Sequence, residues 1–484
     1  MEIIHKRMCG IAGFYNLKSD NRANIDAMLQ KISHRGPDAV NSWNDGRNSG
    51  VTLGHVRLAI VDLTETGAQP MTSHDGRYVI VYNGEIYNAS YLLSEMRASG
   101  YADEMRGTSD TEILIEACSY LGVGKTLKLI KGMFAFGLYD VHARELLLAR
   151  DRIGEKPLYY GFAGDAFVFA SELGAIRAVD GFDAGINTDI LPVYLKYGYV
   201  PAPYAIYENI WKLMPGTTLK VKCELNYYKQ FAYERYWDIT DVAIRGQRNL
   251  FRGSRAEAAG ELERLLKESV KGQMITDVPL GAFLSAGIDS PTVVALMQSV
   301  SDVPVRTFTI GFEDREYDES GEAELIARHL GTDHVRLMAT EDEAMEAIPL
   351  MAGMFGEPFG DSSQIPTYLV SRLTKRHVTV ALSGDGGDEL FAGYRDYAGV
   401  HNIYKKIRGI PPLMRRTAGN VCRSLPGDGA RMRRLRAHGT LLGASDPMDL
   451  YLRTYETWDG PDRLLNDDLR MGSDAPSTFL DAVA

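Results

Sequence analysis

The stretch PLGAFLSAGIDSPTVV, Pro279–Val294, changes character twice. An apolar run from Leu280 to Leu284 stops at Ser285, turns through Ala286-Gly287-Ile288, and resumes as a helical pattern at Asp289-Ser290-Pro291. The run reads as a buried strand and the small residues as a tight loop. Pro291 reads as a first-turn helix residue, where its missing N–H is one the helix leaves free anyway. Such a junction presents backbone N–H groups at the positive end of a helix dipole, which suits a phosphate. Asp289 opposes that charge unless a divalent cation lies between, so the loop predicts a Mg²⁺-bound nucleotide. Ordinary strand–helix turns use the same residue types, so this loop alone leaves the ligand open.

Val378–Leu382 (VTVAL) is a second short apolar run, followed directly by Ser383-Gly384-Asp385-Gly386-Gly387-Asp388-Glu389. Its glycines permit close approach of backbone to a ligand, and carboxylates this dense need a cation or a basic partner. Upstream, Ser254 and Glu257 form a capping-box signature before a helical face of Ala258, Leu262, Leu265, Leu266 and Val270. A strand over Val305–Phe312, helices over Glu322–Leu330 and Ile365–Thr374, and the strand Val378–Leu382 continue the alternation. This order predicts a parallel sheet with helices on both faces and ligands at the carboxyl ends of its strands.

The first loop resembles the pyrophosphate loop (SGGxDS) of ATP pyrophosphatases. The second, with Glu357-Pro358-Phe359 and Asp361-Ser362-Ser363 ahead of it, resembles the synthetase domain of glutamine-hydrolysing asparagine synthetases. That resemblance implies ATP held at Leu284, Ser285, Gly287, Asp289, Ser290, Ile310, Gly311, Ser383 and Gly384, with Leu284 and Thr309–Phe312 lining the adenine pocket. It implies Mg²⁺ on Asp289 and Asp388, and Asp385 as a catalytic base.

The bounds set by composition agree. At 484 residues the chain is long enough for two or three domains. Its 45% hydrophobic and 24% charged content is that of a globular enzyme, and a net charge of −11 argues against a nucleic-acid partner. Cys9, Cys118, Cys223 and Cys422 are too few for a disulfide framework, which points to a reducing cytoplasm. No apolar run approaches a membrane span, and residues 1–8 (MEIIHKRM) lack the apolar core of a signal peptide.

Ahead of residue 237 the chain is dense in short strand-like stretches: Ile11–Phe14, Val51–Asp62, Tyr78–Tyr82, Ala135–Leu138, Leu146–Ala149 and Ala166–Ala170. Two helical patterns interrupt them, Ile25–Ile32 and Asp110–Leu121, the second with Ser109 and Glu112 as a capping box. Many strands and few helices predict layered antiparallel sheets. Four motifs stand among them: Cys9–Gly13 (CGIAG), His34–Asp38 (HRGPD), Tyr82–Asn88 (YNGEIYN) and Gly107–Glu112 (GTSDTE). Taken singly, each has an ordinary reading as a small apolar Cys, a turn or a surface charge.

Together, in this order, they resemble the class II glutamine amidotransferase domain of the N-terminal-nucleophile type. A Cys at a true N-terminus can use its own α-amine, with a pKa near 8, as general base. The resemblance makes Cys9 the nucleophile and Asn83 and Gly84 the oxyanion donors. It makes Arg57 the partner of the glutamine α-carboxylate, with Asn83, Glu85 and Asp110 completing the glutamine site. Asp151–Tyr160, Phe169–Glu172, Tyr197–Pro203 and Pro215-Gly216 extend the match and read as fold, with no named chemistry.

The sequence departs from the pattern in places. Cys9 is preceded by eight residues, so the nucleophile requires either a start at Met8 with that Met removed, or cleavage of residues 1–8. Ala286 stands where the pyrophosphate loop has Gly, and its methyl is expected to obstruct the phosphates or strain the turn, so that Ala286→Gly tightens ATP. Pro291 replaces a usual Ser, and Asp385 stands where many synthetases carry Glu. From Arg395 onward the chain reads as basic, helical and loop-rich, ending in a small-residue tail, without the family's Lys-containing closing segment.

The expectation is therefore an α+β N-terminal-nucleophile domain over residues 9–237 and a linker over 238–253. An α/β parallel-sheet ATP-pyrophosphatase-like domain follows over 254–484, incomplete at its C-terminus. The resemblance implies glutamine- and ATP-dependent amidation of a carboxylate, with aspartate becoming asparagine through an acyl-adenylate and release of AMP and pyrophosphate. It leaves a homodimer open. The alternatives are another acceptor, such as a sugar acid or secondary metabolite, and a glutaminase or nucleotide-binding subunit with an impaired synthetase site.

Overall fold

The computed structural model describes residues 8–16, 22–46, 50–223, 231–313, 318–427 and 429–457. The first part is built on β1 (Gly10–Tyr15), β2 (Ala39–Asn44), β3 (Val51–Arg57), β4 (Met71–Thr72), β5 (Tyr78–Ile86) and β6 (Gly132–Asp140). It continues with β7 (Glu145–Arg150), β8 (Tyr159–Ala163), β9 (Ala166–Ala170), β10 (Ile210–Lys212), β11 (Thr217–Lys222) and β12 (Phe231–Arg235). They form two six-stranded sheets, ordered β10-β8-β9-β1-β3-β2 and β12-β11-β7-β6-β5-β4, in which every strand pairing is antiparallel.

β1 shows why the sheets stack. Its residues are buried on both faces, with Ile11 and Tyr15 turned into one core and Ala12 and Phe14 into another. The first core lies between the sheets, where Leu53, Val81, Leu148 and Phe169 meet. The second lies under the helices Arg22–Lys31 and Leu173–Ile176, and a third core packs the helix Asp110–Tyr120 on the other sheet. A strand covered on both sides reads as continuous apolar sequence, as here.

The second part holds β13 (Leu280–Phe283), β14 (Arg306–Phe312), β15 (Asp333–Ala339) and β16 (Val380–Leu382) in a parallel sheet ordered β15-β14-β13-β16. Both Gly-rich loops leave the carboxyl ends of adjacent strands, β13 and β16. The helix Asp289–Val300 starts where the sequence placed it, and the capping box of Ser254 and Glu257 is formed.

Several expectations are corrected. The strand from Val51 ends at Arg57, and 58–68 is a loop with a short 3₁₀ turn. Ser109 caps its helix through the Thr111 N–H, whereas the Glu112 carboxylate takes the Arg106 and Gly107 N–H groups, so no capping box forms there. The segment 238–253 contains a helix, Ile239–Arg248, with no buried side chain. In the helix Arg255–Gln273 Leu262 and Leu265 are exposed and Val270 is buried, because little packs against that face. β15 and the helix Glu341–Met354 were not anticipated, although Thr340 and Glu343 form a capping box at the start of that helix. Helices follow Arg395 as expected, and the small-residue tail lies outside the described residues.

The two parts are tied by polar contacts. The Asp277 carboxylate accepts the Asp62 N–H at 2.9 Å, and the Asp277 N–H donates to the Ile60 carbonyl at 2.9 Å. Glu357 pairs with Lys212 and accepts from the Tyr159 hydroxyl at 3.4 Å and the Ile206 N–H at 3.3 Å. Among the described residues no helix is long and apolar enough to cross a membrane, and the four cysteines are unpaired.

Candidate active sites

Cys9 immediately precedes β1, and its Sγ lies against Leu58, accepting that residue's N–H at 3.4 Å and facing its carbonyl at 3.5 Å. Burial pushes the thiol up to about 11; the Leu58 N–H pulls it back, the Glu85 charge raises it further, and Lys156 and Arg35 lower it. With residues 1–8 attached the sulfur is therefore a protonated, weak nucleophile. Arg35, from the HRGPD motif, donates from Nε to the Cys9 carbonyl at 3.0 Å and from Nη1 to Glu172 at 2.7 Å, while His34 sits 3.1 Å from the same carboxylate. Gly36 of that motif is a packing requirement, since a Cβ there would overlap the Val56–Arg57 backbone.

Asn83 and Gly84 lie on β5, paired with Ala135 and Phe134 of β6. Asn83 is 1% exposed, and among the described residues its side-chain Nδ2 has no hydrogen-bond partner. A buried amide donor without a partner is costly, on the order of 1–3 kcal/mol, unless a ligand satisfies it. Such a donor is free to meet an oxygen of a bound ligand. Gly84 has a different constraint: a Cβ would overlap the Met133 carbonyl.

Arg57, at the end of β3, is nearly buried. Its Nη1 donates to the Thr64 carbonyl at 2.7 Å and its Nη2 to the Asp62 carbonyl, so the loop after β3 holds the guanidinium. Gly67 leaves it room, because a Cβ there would overlap Nη2. Asp62 has φ 55°, and its carboxylate takes Thr64, Thr66 and Thr108 donors, which locks the loop. Asp110 accepts from the Tyr82 hydroxyl at 2.9 Å and the Ile86 N–H at 2.8 Å. Burial raises both Glu85 and Asp110, and for Glu85 the neighbouring Asp110 charge is the second cause, opposed by Lys156. Two carboxyls raised this way bind an ammonium well, because the cation relieves their repulsion.

The second site is more open. Ser285, Gly287 and Asp385 are exposed, and Ile288 is 83% exposed. The Ser285 N–H donates to Ser290 Oγ at 2.9 Å, and the two hydroxyls are 2.8 Å apart. The second loop lies against the first: a Cβ on Gly384 would stand 2.6 Å from the Ser290 nitrogen, and one on Gly387 2.5 Å from the Asp289 carboxylate. Those glycines are what let the loops meet. Asp385 accepts from the Ser383 hydroxyl at 2.9 Å, and the Asp388 carboxylate lies against Gly393.

The residues expected to line an adenine pocket divide. Leu284 is in the core with its backbone committed to Phe308 and Thr309, and Ile310 packs partly buried beside Ala339. Gly311 is hemmed by Met338, Ser320 and Asp318. Among the described residues no three His, Cys, Asp or Glu side chains converge on one point. Mg²⁺ usually takes one or two protein carboxylates and completes its shell with phosphates and water, so Asp289, whose carboxylate lies against Gly387 of the second loop, fits that ion.

The sequence reading missed Lys156, which it assigned to fold alone. Its signal was a charged pair, Glu155-Lys156, directly ahead of the apolar stretch Pro157–Tyr160.

Residues 8–237 match the family model described as a glutamine amidotransferase domain, and residues 261–474 the one described as asparagine synthase. A protein of Methanocaldococcus jannaschii, provisionally named glutamine-hydrolyzing asparagine synthetase 2, is 37% identical over 430 residues, 84% of this chain and 79% of the relative. Glutamine-hydrolyzing asparagine synthetase 1 of Bacillus subtilis is 34% identical over 417 residues, covering 85% of this chain and 62% of its own length.

Proposed function

From the premise that this chain belongs to the glutamine-hydrolysing asparagine synthetase family, we propose that it transfers glutamine amide nitrogen to a carboxylate in an ATP-dependent reaction, with aspartate as acceptor. The observation that carries the reading is the buried Nδ2 of Asn83, without a hydrogen-bond partner among the described residues, on the strand that also carries Glu85, whose charge is felt at Cys9 and which neighbours Asp110.

With residues 1–8 absent, the α-amine of Cys9 takes the thiol proton. The sulfur attacks the glutamine amide carbon while Asn83 and Gly84 hold the oxygen. The C–N bond breaks, ammonia leaves with that proton, and water hydrolyses the thioester to glutamate. Arg57 grips the α-carboxylate, and Glu85 and Asp110 the α-ammonium. In the second site an acceptor carboxylate oxygen attacks the α-phosphorus of ATP, pyrophosphate departs, and ammonia displaces AMP from the acyl carbon. Mg²⁺ held by Asp289, with Asp388 as a second ligand, would offset phosphate charge there. Asp385 is the candidate base for the proton that ammonia loses. Such chemistry, and unpaired cysteines, suit a reducing cytoplasm.

ATP–pyrophosphate exchange over a panel of carboxylates, with protein beginning at Cys9, tests the acceptor. Exchange with aspartate above all others is expected; exchange with a different acid alone would replace aspartate, and none with any acid would refute the synthetase reading.

A further inference from the structure

Lys156 is 5% exposed, and among the described residues the polar partner of its Nζ is the Met8 thioether at 2.9 Å. Met8 is the residue that must leave for Cys9 to become an N-terminus. The loop bearing Lys156 is fixed with unusual thoroughness. The Asp151 carboxylate accepts the N–H groups of Ile153, Gly154, Glu155 and Lys156 at 2.7–3.2 Å and that of Phe134 at 3.2 Å. Arg150 closes it from the other side, donating to the Lys156 carbonyl at 2.8 Å and the Gly154 carbonyl at 2.8 Å. A buried lysine held this firmly, with a thioether for its partner, is unpaid by local contacts.

We propose that Lys156 tunes the general base of the glutaminase: once residues 1–8 are gone, its ammonium stands beside the Cys9 α-amine and discourages a second positive charge there. The inference rests on the N-terminal-nucleophile reading given above. The charged and titratable groups facing Lys156 are Arg35, Glu85, Glu155 and Cys9. Arg35 is paired with Glu172 and donates to the Cys9 carbonyl, and Glu85 faces Asp110; Lys156 is the cation whose Nζ reaches the Met8 side chain, the residue whose departure exposes the amine. Burial, then Arg35, lowers the lysine itself to about 8, so it remains mostly charged at neutral pH. A neutral amine receives the thiol proton and leaves a thiolate beside the new ammonium, the arrangement attack requires. Lys156 acts through the amine and is in that sense a positioning charge.

The test uses full chain beginning at Cys9 and reads kcat/KM for glutamine hydrolysis against pH, beside the pH dependence of Cys9 alkylation by iodoacetamide. Lys156→Met is expected to move the acidic limb of both profiles upward by about one pH unit, the scale of one partly screened charge a few ångströms away. Lys156→Arg is expected to restore the limb. A folded Lys156→Met protein whose limb does not move, whatever its overall rate, overturns the inference and leaves the nucleophile standing. Wild-type protein beginning at Cys9 with no glutaminase activity overturns the nucleophile and the inference with it. Alkylation gives the limb even in a variant too slow for turnover, and a thermal melt identifies one that has not folded, for which Lys156→Gln is the substitute.

Discussion

The two candidate sites differ in how much of each is assembled before a ligand arrives. In the glutamine half, Asn83 and Arg57 are buried, Asp110 is hydrogen-bonded in place, and the loop beside Arg57 is locked through Asp62. In the nucleotide half, the loops after β13 and β16 touch through Gly384 and Gly387, yet Ser285, Gly287, Ile288 and Asp385 face solvent. The ligands explain the contrast. Glutamine carries one cation and one anion at fixed spacing, so a rigid site can be built around it. A triphosphate brings several negative charges and its own metal, so part of its site arrives with the ligand. Preorganisation is cheap for a zwitterion and expensive for a polyanion.

The hardest way to break this comparison is to remove the nucleophile. In protein beginning at Cys9, Cys9→Ala is expected to lower glutamine-dependent ammonia release by at least about a thousandfold. ATP binding, measured by calorimetry, should not change. Protein shown by mass spectrometry to retain residues 1–8 should be equally inactive, because Cys9 then has a peptide nitrogen and a buried, protonated thiol. Robust activity with those residues present ends the N-terminal mechanism.

A smaller effect is expected in the open half. Asp289→Asn removes one charged ligand and should weaken Mg²⁺–ATP binding by about ten- to a hundredfold, with glutaminase activity intact. Unchanged affinity would place the nucleotide elsewhere.

This contrast also decided what the sequence could tell. The four motifs of the glutamine half, and both phosphate-type loops, were legible because each pairs a glycine with a chemical group at fixed spacing. β15 and the helix Glu341–Met354 were not: DHVRLMA alternates poorly, and Pro349 inside the helix outweighed the capping-box signature of Thr340 and Glu343 that opens it. Helical structure in 239–248 was hidden by a segment that buries nothing. Lys156 was overlooked for another reason: its importance comes from Met8 and Cys9, more than a hundred residues away in sequence.

The pH dependence of stability sharpens the picture of the glutamine pocket. Burial and Asp110 raise the Glu85 carboxyl above its ordinary 4.5. An acid raised on folding keeps its proton in the folded state where the unfolded chain has lost it. Stability therefore falls as pH rises above about 4.5 and continues falling until the folded carboxyl ionises. Glu85→Gln cannot titrate, so its melting temperature should decline less between about pH 5 and pH 8 than that of the wild type. Its glutamine affinity should drop. Melting curves that run parallel across that range would show that Glu85 is not a raised carboxyl.

The smallest expected effect is at Ala286, and the structure reverses its sign. The case for a methyl obstructing the phosphates needed a crowded or left-handed turn. Ala286 is not among the residues of positive φ, so no backbone strain attaches to its side chain. Gly287 does not indicate crowding either: a Cβ there would meet Ser285 Oγ at 3.4 Å, an ordinary contact, and the residue is exposed. The close approaches lie across the gap, at Gly384 and Gly387, where the second loop meets Asp289 and Ser290. Glycine at 286 would therefore add freedom to the unfolded chain without opening the site. Ala286→Gly is expected to cost about 0.4–1 kcal/mol of stability and to leave Mg²⁺–ATP affinity unchanged. Calorimetric titration and thermal melts of both proteins separate the two readings: a tighter complex would mean that the pyrophosphate passes directly over residue 286, and that the open half is more constrained by its first loop than by its second.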